Sequence, residues 1–254
     1  MTVAGLRRAA QHFAEHGWVA VDALSPIEQV DLGAWVDEVA ARPHGDGGGV
    51  LQHFEGTAEG PLLCRSENFV PRHAALRRLL CAGSMLEVAA ALLGEPAVLY
   101  KEKINYKLPG GAGYSAHQDA PAYPMIDAHV SAMVAVDDAD EGNGSLEVVS
   151  GCFDEVLPTD ERGCIDPAIA AGLEWRPVPL RAGQTLWFHS RTPHRSGANR
   201  SDRPRRALYP TYNAAREGDL RAAYYETKRA AFAAAPTGDR ARVSLIGDFE
   251  GRPV

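Results

Sequence analysis

Apolar residues recur every third or fourth position over Thr2 to Glu15, Pro26 to Ala41 and Ala74 to Leu93, which predicts helices there, the last broken near Gly83. From about Ala97 the period shortens. Lys101, Lys103 and Asn105 alternate with Glu102, Ile104 and Tyr106, so three polar side chains share one face of a strand, and that face is no ordinary apolar core. Val130 to Val136 is small or β-branched throughout, apart from Met133. It predicts a strand buried on both faces or lining a cavity, with Met133 as core packing. Gly142, Asn143 and Gly144 mark a turn between the extended segments His129 to Val136 and Ser145 to Val149. Strand signals continue to Asn213, and Gly218 to Ala233 returns to helix before the tail ending at Val254. Between the early helices, His44 to Gly49 reads as a connector and Leu51 to Val70 as a segment covering the mouth of a barrel. Pro158 to Gly172 reads as an excursion that contributes a lid.

The expected organisation is therefore one domain over residues 1–254. Residues 1–96 form a mainly helical part with the mouth-covering segment, 97–213 a β core, and 214–254 a helix and tail. At 254 residues and 45% hydrophobic content the chain is long enough to bury a full core. A net charge of −7 argues against a nucleic-acid partner, whose phosphates demand a basic face. No apolar run reaches the roughly 18 residues of a membrane span. Met1 to Trp18 carries Glu15 and an interrupted apolar pattern, unlike a secretory signal, so a cytoplasmic protein with a small-molecule substrate is expected. Cys64, Cys81, Cys152 and Cys164 lack the close spacing of zinc or redox motifs and are expected as free thiols.

The candidate chemistry begins at His117-Gln118-Asp119. Residues two apart on an extended strand project from one side, so His117 and Asp119 form a chelating pair while Gln118 points away. A third donor must come from another strand, and His194 follows the strand-like run Thr185-Leu186-Trp187-Phe188. Two imidazoles and one carboxylate hold Fe(II) on one triangular face and leave the remaining positions for a co-substrate and O2. The same donors also suit zinc, so a zinc-dependent enzyme on a cupin barrel and a non-catalytic jelly-roll binding protein stand as alternatives.

The stretch from Leu99 to Asn213 resembles the phytanoyl-CoA dioxygenase family of iron(II)/2-oxoglutarate oxygenases. The resemblance rests on Lys103 to Pro109, His117-Gln118-Asp119, Asn143 to Gly151, Gly183 to Phe188, His194 to Asn199 and Arg205-Arg206, all in the family's order. It implies a mostly β fold with flanking helices around a double-stranded β-helix (jelly-roll, cupin-like) core, with iron held by His117, Asp119 and His194. It also implies 2-oxoglutarate as co-substrate, whose far carboxylate requires a cation of matching geometry. Arg205 stands at the family's offset from His194. Arg206, one residue on, should face the other way, although Arg195, Arg200 and Arg203 crowd the same region. Ser196 shares the face of His194 and is expected to donate to the same carboxylate, and Lys103 or Asn105 to make a second polar contact with 2-oxoglutarate.

For the substrate, Tyr123, Asp127 and His129 are expected near the iron, with Arg65 and Glu67 reaching in from the mouth-covering segment. Such a lining suits a small polar molecule. The resemblance is nearest to bacterial members that tailor sugar-containing antibiotics, including orthoester-forming enzymes, and to hydroxylases of aminoalkylphosphonates. The first reading is preferred on the Ala-, Gly- and Arg-rich composition, which suggests a GC-rich bacterial source. The two differ in what they require: a phosphonate enzyme needs a cationic pocket beyond the 2-oxoglutarate arginine, and a sugar enzyme an open cleft lined by aromatic and carboxylate groups.

Overall fold

The computed structural model describes residues 1–42, 49–58 and 60–234; the tail after 234 and residues 44–48 of the expected connector lie outside them. The first helix, α1 (Val3–His16), starts where the Thr2 hydroxyl accepts the Gly5 N–H and stops at Gly17, whose φ of 77° lets the chain turn back. Helix α2 (Pro26–Ala40) opens on a capping box in which Ser25 and Glu28 satisfy each other's backbone N–H, with Pro26 in the first turn. The break expected near Gly83 is present. Ala82 is extended and Gly83 has φ +64°, which separates α3 (Ala74–Cys81) from α4 (Gly83–Leu93).

Eleven strands are found among the described residues. They are β1 (Trp18–Val21), β2 (Leu51–Thr57), β3 (Gly60–Glu67), β4 (Ala97–Lys107), β5 (Tyr114–His117), β6 (His129–Ala135), β7 (Leu146–Val149), β8 (Trp175–Val178), β9 (Thr185–His189), β10 (His194–Ser196) and β11 (Arg205–Ala214). Seven form one antiparallel sheet in the order β1-β9-β6-β11-β4-β3-β2, and four form another in the order β5-β10-β7-β8. The fold is mostly β with flanking helices, on a jelly-roll core.

The period of two explains the layering. On β4, Ile104 joins Leu208 and Tyr212 of β11 and Val130 and Val134 of β6 on the face that buries α2, α3 and α4. The alternate positions face the smaller sheet. There Met133, Ala135, Leu186, Phe188, Ala207 and Tyr209 meet Leu146 and Val148, so Met133 is core as expected. All seven residues of β6 are buried, in keeping with a strand covered on both sides.

One expectation needs correction. The segment 51–70 is not a simple cover: β2 and β3 are a hairpin that extends the large sheet, with Arg65 paired to Asn105 and Glu67 to Lys103. Mixed charged and apolar residues hid this, because its polar positions point into the molecule. The turn expected at Gly142 to Gly144 is present between β6 and β7. β6 and β7 lie in different sheets, and the turn is a crossing between them. The excursion expected over 158–172 contains α5 (Pro167–Gly172), capped by Asp166.

The last described helix, α6 (Arg221–Ala234), packs on β4. Lys228 donates to both oxygens of Glu67 at 2.6 and 2.7 Å, and both side chains are about 2% exposed. Burial works against the Glu67 carboxylate, but Lys228, Arg65 and His53 together hold it well below the usual carboxylate range. Its charge therefore contributes stability above the ordinary carboxylate pKa, and that contribution is lost as acidification proceeds below it. Lys228→Met should lower unfolding free energy by about 3 kcal/mol, because it strands a buried carboxylate, and a second change, Glu67→Gln, should recover part of the loss. Urea unfolding midpoints check this; an unchanged midpoint in the single variant refutes it.

Candidate active site

β5 and β10 pair antiparallel with His117 directly opposite His194, and the two imidazole centroids are 4.1 Å apart. Donor atoms of His117, Asp119 and His194 all lie within 4.8 Å of one another. The chelating pair is built differently from the sequence expectation. The strand ends at His117, and Asp119 is in the helical region (φ −73°, ψ −28°) at the head of a short 3-10 turn, Ala120–Ala122, where Pro121 cannot continue a ladder. Gln118 does point away. Its amide donates to the Glu155 and Arg191 carbonyls and accepts from the Leu157 N–H at 2.8 Å, which fixes the bend between the two donors.

Each imidazole is held through Nδ1, His117 by the Ser115 carbonyl at 2.7 Å and His194 by the Thr192 carbonyl at 3.1 Å. A proton on Nδ1 leaves Nε2 as a lone-pair donor. Burial keeps both rings neutral, pushing His117 down to about 3 with help from neighbouring His194, and lowering His194 as well. The Asp119 carboxyl is also buried, but the neighbouring Lys101 and Lys103 ammonium groups hold it below the usual carboxylate range. Ser131 donates to its Oδ2 at 2.7 Å, and the Ser131 and Thr211 hydroxyls are 2.9 Å apart. Two neutral imidazoles and an ionised carboxylate, each oriented by a second contact, fit an iron-binding site.

Around this triad lies a small cavity between the sheets. The large sheet contributes Lys101, Lys103 and Asn105 from β4, Ser131 from β6 and Tyr209 and Thr211 from β11; Ser196 enters from β10. Arg205 is fully buried at the start of β11, opposite Lys107. Its Nη1 donates to the Tyr209 hydroxyl at 3.0 Å, while Nε and Nη2 have no partner. Orphaned guanidinium donors in the interior are costly, and a carboxylate would satisfy them. Arg206 faces the other way, paired with Asp137 and Asp37. The Ser196 hydroxyl accepts from Lys107 Nζ at 2.8 Å. Lys107 also donates to the Gly197 carbonyl.

Arg65 and Glu67 are buried beside the cavity. Arg65 Nε donates to Asn105 Oδ1 at 2.9 Å, its Nη2 to the Tyr114 hydroxyl at 3.1 Å, and its other terminal nitrogen sits 3.5 Å from Glu67. Tyr123 is buried with its ring under Lys101 Nζ at 4.6 Å, and His129 packs edge-on against Tyr123 at 5.6 Å. Neither is among the cavity-lining residues. Asp127 is not brought to the site: its side chain is 88% exposed, 4.0 Å from Arg191, because the loop before β6 carries it to the surface. Sequence reasoning passed over Lys107, Ser131, Tyr209, Thr211 and Lys228. The first four continue the same-parity rows of β4, β6 and β11, a signal available once the pairing of those strands is known.

Among the described residues no helix is long and apolar enough to cross a membrane. Residues 13–207 match the family described as phytanoyl-CoA dioxygenase (PhyH). A methylphosphonate hydroxylase of Gimesia maris is 47% identical over 233 residues, covering 91% of this chain and 89% of that protein. A 2-aminoethylphosphonate dioxygenase from an uncultured bacterium is 42% identical over 187 residues, covering 72% and 71%. Among solved structures, EctD from S. alaskensis, crystallised with 2-oxoglutarate and 5-hydroxyectoine, superposes with a TM-score of 0.72 at 20% identity over 85% of this chain and 77% of that one. That last likeness is one of fold.

Proposed function

The chain belongs to the phytanoyl-CoA dioxygenase family and is an iron- and 2-oxoglutarate-dependent dioxygenase, and from that premise we propose that it hydroxylates a small phosphonate. The observation that carries this reading is the excess of buried cations around the triad. Lys101 and Lys103 line the cavity, with Arg65 behind Asn105, in addition to the Arg205 and Lys107 pair. Of the nearby carboxylates, Asp119 is a metal donor and Glu67 is taken up by Lys228. Burial lowers the affinity of Lys101 and Lys103 for their protons, and an anion entering the cavity would favour the charged form of both.

The sugar-tailoring reading required an open cleft of aromatic and carboxylate groups, and it has less support. The two relatives above carry names of phosphonate enzymes, which favours the alternative.

In this reading His117, Asp119 and His194 hold iron, and Arg205 receives the far carboxylate of 2-oxoglutarate with Tyr209, Ser196 and Lys107 beside it. Iron with its co-substrate supplies the oxidising chemistry, in which O2 and 2-oxoglutarate give succinate, carbon dioxide and a hydroxylated C–H bond. The protein places that bond and excludes water, with Leu146 and Phe188 supplying the apolar part of the lining. Aerobic incubation of the Fe(II) protein with 2-oxoglutarate and methylphosphonate should give equal amounts of succinate and a hydroxymethyl product by phosphorus and proton NMR. Succinate release that is indifferent to every phosphonate offered would sink the proposal.

A further inference from the structure

The row of cations on β4 has two ends with different company. Lys107 pairs across with Arg205, and Lys101 with Thr211. These positions are six residues apart on one strand, about 20 Å at ~3.4 Å per residue. 2-Oxoglutarate is a five-carbon diacid. Anchored at Arg205 and reaching the triad, it leaves the Lys101 end of the row for a second anion.

Lys101 is suited to receive one. It is 2% exposed, lines the cavity beside Asp119, Ser131 and Thr211, and its Nζ lies over the Tyr123 ring without a hydrogen bond or ion pair among the described residues. A buried ammonium left in that state is costly, and a dianionic headgroup removes the cost.

The same surroundings are hostile to a positive charge on the substrate. Glu67 is saturated by Lys228 and Arg65, and Glu102, on the opposite parity of β4, is held by Arg221. Among the described cavity-lining residues Asp119 is the sole carboxylate, and it is a metal donor. An ammonium would therefore enter a cationic cavity without a counter-charge of its own.

Resting on the phosphonate reading above, we infer that Lys101 binds the substrate's phosphonate group and that the charge around it selects phosphonates with an uncharged carbon chain over aminoalkylphosphonates. This makes Lys101 a specificity-determining residue with no part in holding 2-oxoglutarate.

The test uses the full-length Fe(II) enzyme with methylphosphonate, n-propylphosphonate and 2-aminoethylphosphonate, the last two differing in a terminal methyl against an ammonium. Wild type should favour propylphosphonate over 2-aminoethylphosphonate by about tenfold or more in kcat/KM. Lys101→Met should raise the KM for methylphosphonate by about tenfold or more, with Lys101→Arg recovering part of it, while the KM for 2-oxoglutarate stays within about twofold. The anaerobic absorption band of the iron–2-oxoglutarate complex, retained in Lys101→Met, establishes that this variant folds and loads. If Lys101→Met instead raises the 2-oxoglutarate requirement and spares that for methylphosphonate, the assignment of Lys101 is overturned. Equal or better turnover of 2-aminoethylphosphonate than of propylphosphonate overturns the selectivity and leaves the hydroxylase reading standing. A wild type that oxidises none of the three overturns both.

Discussion

Alanine in place of His117, Asp119 or His194 is expected to abolish 2-oxoglutarate-dependent succinate formation while the protein stays folded. The three donors converge within 4.8 Å of one another from β5, the turn after it and β10. No other described group of three or more His, Cys, Asp or Glu side chains is similarly poised to take a metal. Losing a contact that merely orients a ligand typically costs 10–100-fold in metal affinity or activity, so losing a donor should cost more than about a hundredfold. The fold should survive because the two main hydrophobic clusters include none of the triad's members. Iron content after desalting, succinate yield and far-UV circular dichroism report the outcome together. Full activity in any one variant would remove that residue from the metal site.

Arg205→Ala and Arg206→Ala should fail in opposite ways although the residues are adjacent. Arg205 points between the sheets with Nε and Nη2 unpartnered, whereas Arg206 points outward into an ion-pair cluster with Asp137 and Asp37. Removing Arg205 takes away the partner of a buried carboxylate. The expected loss is about 2–5 kcal/mol of 2-oxoglutarate binding, at least about thirtyfold in its KM. Removing Arg206 should leave that KM nearly unchanged and lower thermal stability, because Asp137 loses a multidentate partner. Initial rates across a 2-oxoglutarate series, beside melting curves, separate the cases. If Arg206→Ala carries the kinetic defect, the strand register argued here is wrong by one residue.

Much of this was legible in the chain because period-two patterning reports which side chains share a face. The polar row Lys101, Lys103, Asn105 was readable as a lining, and the parity of Arg205 against Arg206 follows from the same rule. Helix ends were readable from Ser25, Glu28 and Gly17, whose chemistry is local. What stayed hidden depends on pairing between distant segments. The strand β1 consists of four residues whose partner, β9, lies over 160 positions away. The β2–β3 hairpin read as a cover because Arg65 and Glu67 are buried only when Asn105 and Lys228 meet them. Asp127 was misplaced for the converse reason: nearness in sequence to Asp119 says little once a turn intervenes. The preference for a sugar-derived substrate rested on composition, which carries no information about the charge inside a cavity.

The recognisable family stretch ends at residue 207, yet Tyr209 and Thr211 line the cavity beyond it and Lys228 neutralises Glu67 from further still. Arg221 clamps Glu102 on the back of the same strand that carries the lysine row, and the Tyr225 hydroxyl bonds its backbone on both sides. A fragment trimmed to the family boundary would thus keep every metal donor but lose seven of the ten residues of β11, the strand between β6 and β4, and would be a poor catalyst. Its lysine row would be free to tilt, and a naked carboxylate would compete with the substrate for the same ammonium groups.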